Sequence, residues 1–509
     1  MKLAWLTIIV AALAVAAQPA DAQKAKDNLR FAFQRSTRAL DLYLDPGIHT
    51  TFTQEAVFDT LISFNEPKQT FEPLLAKSWT RVSPTVLEFD LRDDVTWHDG
   101  EKFTADDVVY TLGWLTDKDT KIQFKGQYAW VDKVEKLSPT KVRITAKQPT
   151  PFDLLNLAMT TAIMPLHAHG PLANKYDFVT KSVGTGPYRA VNVDTSKGVL
   201  LQRNEAFNHG NVWKTKAAIK TIDISLIPDF GTQVAHLLAG DLDLATLPWA
   251  EASNFLHHPT HHVEVYPSFS YVYMMFDAKG RSGVKALQDE RVRRALMMAI
   301  DPAEVYQVIG GDTKVTFPEH ICWKVQFGCA YTKLPPAYDP AGAKKLLAEA
   351  GYPNGFEVDV YSVDGVYRDV NQAIVGELRR IGIAANVKAM TRAAFQQEIG
   401  KGTMPIVATV WSGGGMADVS GTMSYFFAAE SKDFIGDDAL SAMAAKTDTE
   451  MDPAKRKQDV AALLDTLTDH AYIRAVVPAP TIYAVGNDVK ITKTAYVAGA
   501  IAGYAIEWK

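Results

Sequence analysis

Runs of strand length, each followed by a capped helix, recur along this chain, and that alternation constrains its fold more than any other feature. Residues 222–227, Ile-Asp-Ile-Ser-Leu-Ile, alternate apolar and polar side chains, the period of a half-buried strand. Residues 234–239 read as helix, Gly240 ends it, and Leu242-Asp243-Leu244 reads as the next strand. Further on, Asp301-Pro302 and Asp339-Pro340 each place an Asp at a helix N-cap and a Pro at the first helical position. The helix after Pro340 stops at Gly351, with Pro353 just beyond. Then 356–360 reads as strand, 371–381 as helix closed by Gly382, Val387 opens a strand, 395–399 is helix and 406–410 strand. Strands alternating with helices predict mainly parallel sheets covered by helices, an α/β fold. A chain of 509 residues exceeds the ~250–300 that one core serves, so two α/β lobes are expected.

Between residues 87 and 112 the pattern changes. Residues 87–92 alternate as a strand, 95–98 form a second run, and Asp99-Gly100 after it suits a tight turn. Thr104 followed three residues later by Asp107 is a capping box for a helix through 108–112. The adjacent carboxylates Asp106 and Asp107 are therefore read as helix-start residues, not as an acid–base pair.

The N-terminus sets the compartment. Met1-Lys2, an uncharged apolar run over 3–17 and the small-x-small site Ala20-Asp21-Ala22 follow the grammar of a secretory signal peptide cleaved after Ala22. The run is shorter than the ~20 residues a membrane-spanning helix needs. No Cys follows the cleavage site to take a lipid, so a soluble periplasmic product is expected. A net charge of −5 with scattered Lys and Arg leaves no nucleic-acid footprint. The two cysteines, Cys322 and Cys329, stand in one short loop, and a disulfide is the favoured reading in an oxidising compartment, with free thiols as the alternative.

Several further segments stand in a fixed order along the chain. They are Leu-Ala-Lys-Ser-Trp at 75–79, Trp-His-Asp-Gly-Glu-Lys-Phe-Thr-Ala-Asp-Asp-Val at 97–108, Gly-Thr-Gly-Pro-Tyr at 184–188 and Arg-Asn-Glu-Ala-Phe at 203–207. Arg-Val-Arg-Arg-Ala-Leu at 291–296 and Tyr-Asp-Pro-Ala at 338–341 complete the series, which resembles the peptide/nickel/opine family of ABC-importer solute-binding proteins. The resemblance implies a two-lobed periplasmic binding protein fold with the ligand cleft between the lobes. Lobe I would run over 23–284 with an inserted subdomain near 60–180, lobe II over 285–485, and 486–509 would return to lobe I. It implies capture of a peptide or peptide-like solute and its delivery to a permease complex in the inner membrane, by a monomer without cofactor or catalysis. A nickel chelate, an opine or a sugar is the alternative cargo, and a secreted α/β hydrolase the alternative class. No G-x-S-x-G, H-E-x-x-H or G-x-x-x-x-G-K motif is present for an enzyme.

The candidate site residues follow from the same likeness. Trp411 leaves a strand into Ser-Gly-Gly-Gly-Met-Ala, where Gly414 lets backbone approach a ligand, and Asp418 stands where many family members pair an Asp with a peptide α-ammonium, a helix cap or a solvent-facing carboxylate being the alternative. Val419 replaces the usual Pro after that Asp, and Asp277 the usual Asn after Phe276, which are departures from the peptide pattern. Tyr271 and Tyr273 share one face of a strand near the lobe crossing and are candidates to line the cleft, with ordinary core aromatics the equal alternative. Arg368 is a candidate fork for a ligand carboxylate, with a solvated surface Arg the favoured reading. Gly184-Thr185-Gly186 precedes Pro187 and reads as a turn at a lobe crossing. His257, His258, His261 and His262 have ligand chemistry, but Pro259 interrupts them and an exposed polar loop is the favoured reading; no metal is expected.

Overall fold

Two sheets, each with its own core, divide most of the chain between them. The computed structural model describes residues 24, 26–35, 37–45, 47–310, 313–365, 367–412, 417–427, 435–492 and 499–509, so the signal-peptide reading of 1–22 lies outside the described residues. The first sheet has seven strands in the order His261–Tyr266, Thr481–Gly486, Leu244–Leu247, Asn28–Phe33, Thr221–Leu226, Gly198–Arg203, Tyr188–Asp194. Its central strand pairs in parallel on both sides, with Phe31 opposite Ile224 and Leu244. The second sheet has five strands in the order Ala384–Met390, Glu357–Val363, Ile406–Trp411, Tyr271–Phe276, Ile473–Pro478. Here Glu357–Val363 is parallel to both neighbours, Val360 facing Val387 and Ile406. The helices that cover this sheet begin where polar caps satisfy orphan amides: Asp301 accepts from Ala303 N–H at 2.9 Å and Asp339 from Gly342 N–H at 2.8 Å.

The strand pairings place the crossings between lobes at 267–270 and 479–480. Tyr271–Phe276 pairs with Ile406–Trp411 in the second sheet, although the sequence reading put it in lobe I. Thr481–Gly486 pairs with Leu244–Leu247 in the first sheet, so the return to lobe I begins at 481, ahead of the expected 486. Proline punctuates both crossings, at Pro267 and at Pro480, each just outside the end of a strand.

A third, antiparallel sheet of Ala76–Ser83, Val86–Leu91, Lys141–Ala146 and Val131–Ser138 forms the subdomain inserted in the first lobe. The helix Ala105–Thr116 packs on it and starts with the capping box: Thr104 N–H donates to Asp107 at 2.9 Å, and Asp106 N–H to the Thr104 hydroxyl at 3.3 Å. Gly100 takes the turn before it at φ +96°. The Gly184-Thr185-Gly186 turn joins this subdomain to the first sheet instead of lying at a lobe crossing. A Cβ on Gly184 would sit 1.8 Å from the Val57 carbonyl oxygen, which is why glycine stands there. Asp59 beside it accepts from Thr185, Lys214 and His209 at 2.7–2.8 Å. Burial pushes the Asp59 carboxyl up, but Lys214 and His209 overcome it and hold it below the usual range.

Candidate ligand-binding site

The two sheets turn the carboxyl ends of their parallel strands toward the crossings. Phe33, Leu226 and Leu247 end the strands of the first, and Val363, Met390 and Trp411 those of the second. Crevices at the carboxyl ends of parallel strands are where open α/β sheets bind ligands, because loops there are free of the ladder and their amides face outward. Contacts bridge the cleft on two sides. Trp249, just after Leu244–Leu247, sets its ring edge-on against Tyr367 of the second lobe at 5.8 Å and donates its indole N–H to Pro480 O at 3.0 Å. On the other side lies the loop 322–329.

That loop is closed by a Cys322–Cys329 disulfide with Cα atoms 6.0 Å apart. Trp323 and Phe327 project from it and pack against the core of the first lobe, while Gln69 of the first lobe donates to Val325 O at 3.2 Å. Phe327 also bridges to the strand-like segment at Asp418: its N–H donates to Ala417 O at 2.7 Å, and Val419 N–H donates to Phe327 O at 3.0 Å. A Pro at 419 has no N–H to give, so Val at this position permits the second of these two bonds. A cavity of about 570 Å³ lies beneath the loop, walled by Phe64 and Pro67 of the first lobe, Phe269 of the crossing, and Phe327, Ala417 and Arg456.

The residues singled out from sequence fall into different places. Trp411 is half-buried at its strand end; its indole N–H donates to the Thr422 hydroxyl at 3.1 Å and its ring stacks on Tyr425 at 4.4 Å. Gly414 lies outside the described residues. Asp418 does not present a free carboxylate to the cleft: it is fully buried and held by a two-pronged pair with Arg456, both contacts at 2.7 Å. Asp418 also accepts from Ser420 N–H at 2.7 Å, capping the helix Ser420–Phe427, and Arg456 donates its Nε–H to Thr447 O at 2.8 Å. A buried carboxylate needs such a partner, and here the chain supplies it 38 residues away.

Tyr271 and Tyr273 do share a face, but both faces of their strand are buried, so the shared face is core. Tyr271 donates its hydroxyl to Ile321 O at 2.6 Å, and Tyr273 packs edge-on against Phe426 at 5.0 Å. Arg368 is exposed and already forked onto Asp364 at 2.8–2.9 Å in the first turn of the helix Arg368–Arg380. Asp277 follows the end of its strand remote from the cleft and accepts from Ser282 N–H at 2.6 Å, so this departure bears on a turn and not on the ligand. The rings of His258 and His261 lie 5.6 Å apart, His261 and His262 open an edge strand, His262 pairs with Glu264 at 2.9 Å, and no group of three metal-ligating side chains occurs among the described residues. Sequence reasoning passed over Arg456, Tyr425, Trp249, Trp323 and Phe327; a Trp and a Phe between two nearby cysteines were the legible signal.

A hinged pair of α/β lobes with a cleft between strand ends defines a two-lobed solute-binding protein. The chain belongs to the bacterial extracellular solute-binding proteins, family 5, whose middle-region model matches residues 70–434. It is 29% identical over 463 residues to heme-binding protein A of Haemophilus influenzae, covering 81% of this chain and 82% of that one. It is 26% identical over 373 residues to the nickel-binding periplasmic protein of Escherichia coli, covering 67% of each. Among solved structures it superposes on HbpA2 of Haemophilus parasuis with a TM-score of 0.80 and 22% identity, covering 95% of this chain and all of that one. The dipeptide-binding protein of a Pseudoalteromonas species in complex with Met-Leu gives 0.75 and 21%, with the same coverage. The chain is thus the solute-binding component of an ABC import system.

Proposed function

We propose that this chain, exported to the periplasm and monomeric, captures a peptide or peptide-like solute between its lobes and hands it to an inner-membrane permease complex. The observation that supports it best is the cleft itself, with strand carboxyl ends on both sides and a cavity of about 570 Å³ walled from both lobes. A solute that touches both lobes only when they close shifts the population toward the closed form, which is the form a permease distinguishes. Trp411 stacked on Tyr425 is the aromatic wall of the site, and the glycine run with Gly414 supplies backbone donors and acceptors. Asp418 is paired with Arg456 and is not the partner of a ligand ammonium. Binding in the micromolar range, about −8 kcal/mol, suffices for a scavenging receptor.

Native mass spectrometry of the protein taken from its host periplasm tests this directly. A co-purifying peptide-like mass that raises the melting temperature when added back supports the reading. The same thermal-shift series with hemin, a nickel–histidine chelate, an opine and a sugar identifies the other cargoes that the relatives bring to mind. A shift from one of these alone replaces the cargo, and chemical turnover of any of them overturns the receptor role.

A further inference from the structure

We infer that the cavity beneath the disulfide loop is a subsite for a bulky apolar group of the solute, one that carries an anion at its outer end. The inference rests on the receptor reading and names part of the solute. Its volume, about 570 Å³, falls within the ~300–1,000 Å³ of pockets that enclose small-molecule ligands. The lining is dominated by Phe64, Phe269 and Phe327 with Pro67, Val325 and Pro453. Those residues come from the first lobe, the crossing and the second lobe, so the cavity is complete only when the lobes meet. Ala417, on the segment that follows Trp411, forms part of its wall.

The floor is preorganised. Gly328 lies on the Arg456 guanidinium so closely that a Cβ would sit 2.8 Å from Nη1, and the bridge from Phe327 to Asp418 fixes the loop above it. Four charged side chains line the cavity, and three are cations: Lys324, Arg456 and Lys457, against Glu66. Arg456 is committed to Asp418, and Lys324 to Glu319 at 2.7 Å. Lys457 is exposed at the rim and has no hydrogen bond or ion pair among the described residues, which leaves its charge for the occupant. An apolar group entering this cavity releases water from aromatic walls, and an anion at its end meets an uncommitted ammonium.

Two dyes with one ring system separate these terms: 8-anilinonaphthalene-1-sulfonate, which is anionic, and neutral N-phenyl-1-naphthylamine. Saturable enhancement of both by the full-length mature protein is expected. Lys457→Glu, a surface change, is expected to weaken the anionic dye at least about tenfold and leave the neutral dye unchanged. Ala417→Leu fills the cavity and is expected to weaken both; Val325→Trp, at an exposed position, does the same if Ala417→Leu fails to fold. Absence of binding by the parent protein, or affinities unchanged in Lys457→Glu or in the cavity-filling variant, overturns the subsite. If the co-purified solute still binds in that case, the receptor reading stands alone; if no solute binds at all, that reading falls whatever the dyes do.

Discussion

At the scale of the residue, the Asp418–Arg456 pair carries the clearest consequence. Both side chains are nearly inaccessible, and each uses its charge on the other. Arg456→Met leaves a buried carboxylate uncompensated and should cost about 3–5 kcal/mol, read as a shift of the urea unfolding midpoint. Asp418→Leu placed on top should recover much of that loss. Nearby Asp448 behaves differently: burial and the negative Asp418 push its carboxyl up to about 7, against the pull of Arg456. Its proton is bound more tightly in the folded chain than in the unfolded one, whose value is 3.8. The stabilising share is therefore complete below about pH 4 and lost as pH rises through about 7. Asp448→Asn should accordingly gain stability relative to the parent as pH climbs through that window, in unfolding curves taken from acid to neutral. An Asp after a glycine run was legible as a ligand group or a helix cap. The cap is present, and the sequence could not show the Arg that occupies the carboxylate, because nothing local links positions 418 and 456.

At the scale of the element, caps and turns were readable because their physics is local. Thr104 with Asp107, Asp339 with Pro340 and Gly100 in its turn each stand where the sequence placed them. The strand Tyr271–Phe276 was recognised as a strand but assigned to the wrong lobe. It is buried on both faces, so its alternation carries no sign of which sheet it joins, and the prolines at the crossings were the better signal. The disulfide loop docks in part through one backbone donor, the Val419 N–H. Val419→Pro removes the N–H that Phe327 O accepts and should cost about 1–3 kcal/mol, measured by chemical unfolding with the disulfide intact. The same variant should also weaken solute binding, since the loop it loosens is a wall between the lobes.

At the scale of the molecule, closure is what binding must drive, and two tryptophans mark it. Trp249 and Trp323 each belong to one lobe and touch the other. Solute addition should change the intrinsic emission, and Trp323→Phe should remove a large part of that change while leaving the affinity close to the parent's. An emission change that survives intact in this variant places the moving contact elsewhere. The two-lobed plan was legible from the succession of strands and helices. The contacts that join the lobes were not, because they pair residues such as Gln69 and Val325 that only the folded chain brings together.

The first sheet is built from both ends of the chain. Leu244–Leu247 lies between Asn28–Phe33 on one side and Thr481–Gly486 on the other, and Trp508 donates its indole N–H to Asp27 at 3.0 Å. The second lobe, by contrast, uses one continuous stretch from 271 to 478. A chain that emerges from a membrane pore N-terminus first can therefore finish its second lobe while the first sheet still lacks the one strand that pairs with two of its others. Until residues 481–486 arrive, the edges of Leu244–Leu247 and His261–Tyr266 stand open to any other strand, which makes late export the interval in which this protein most needs a chaperone.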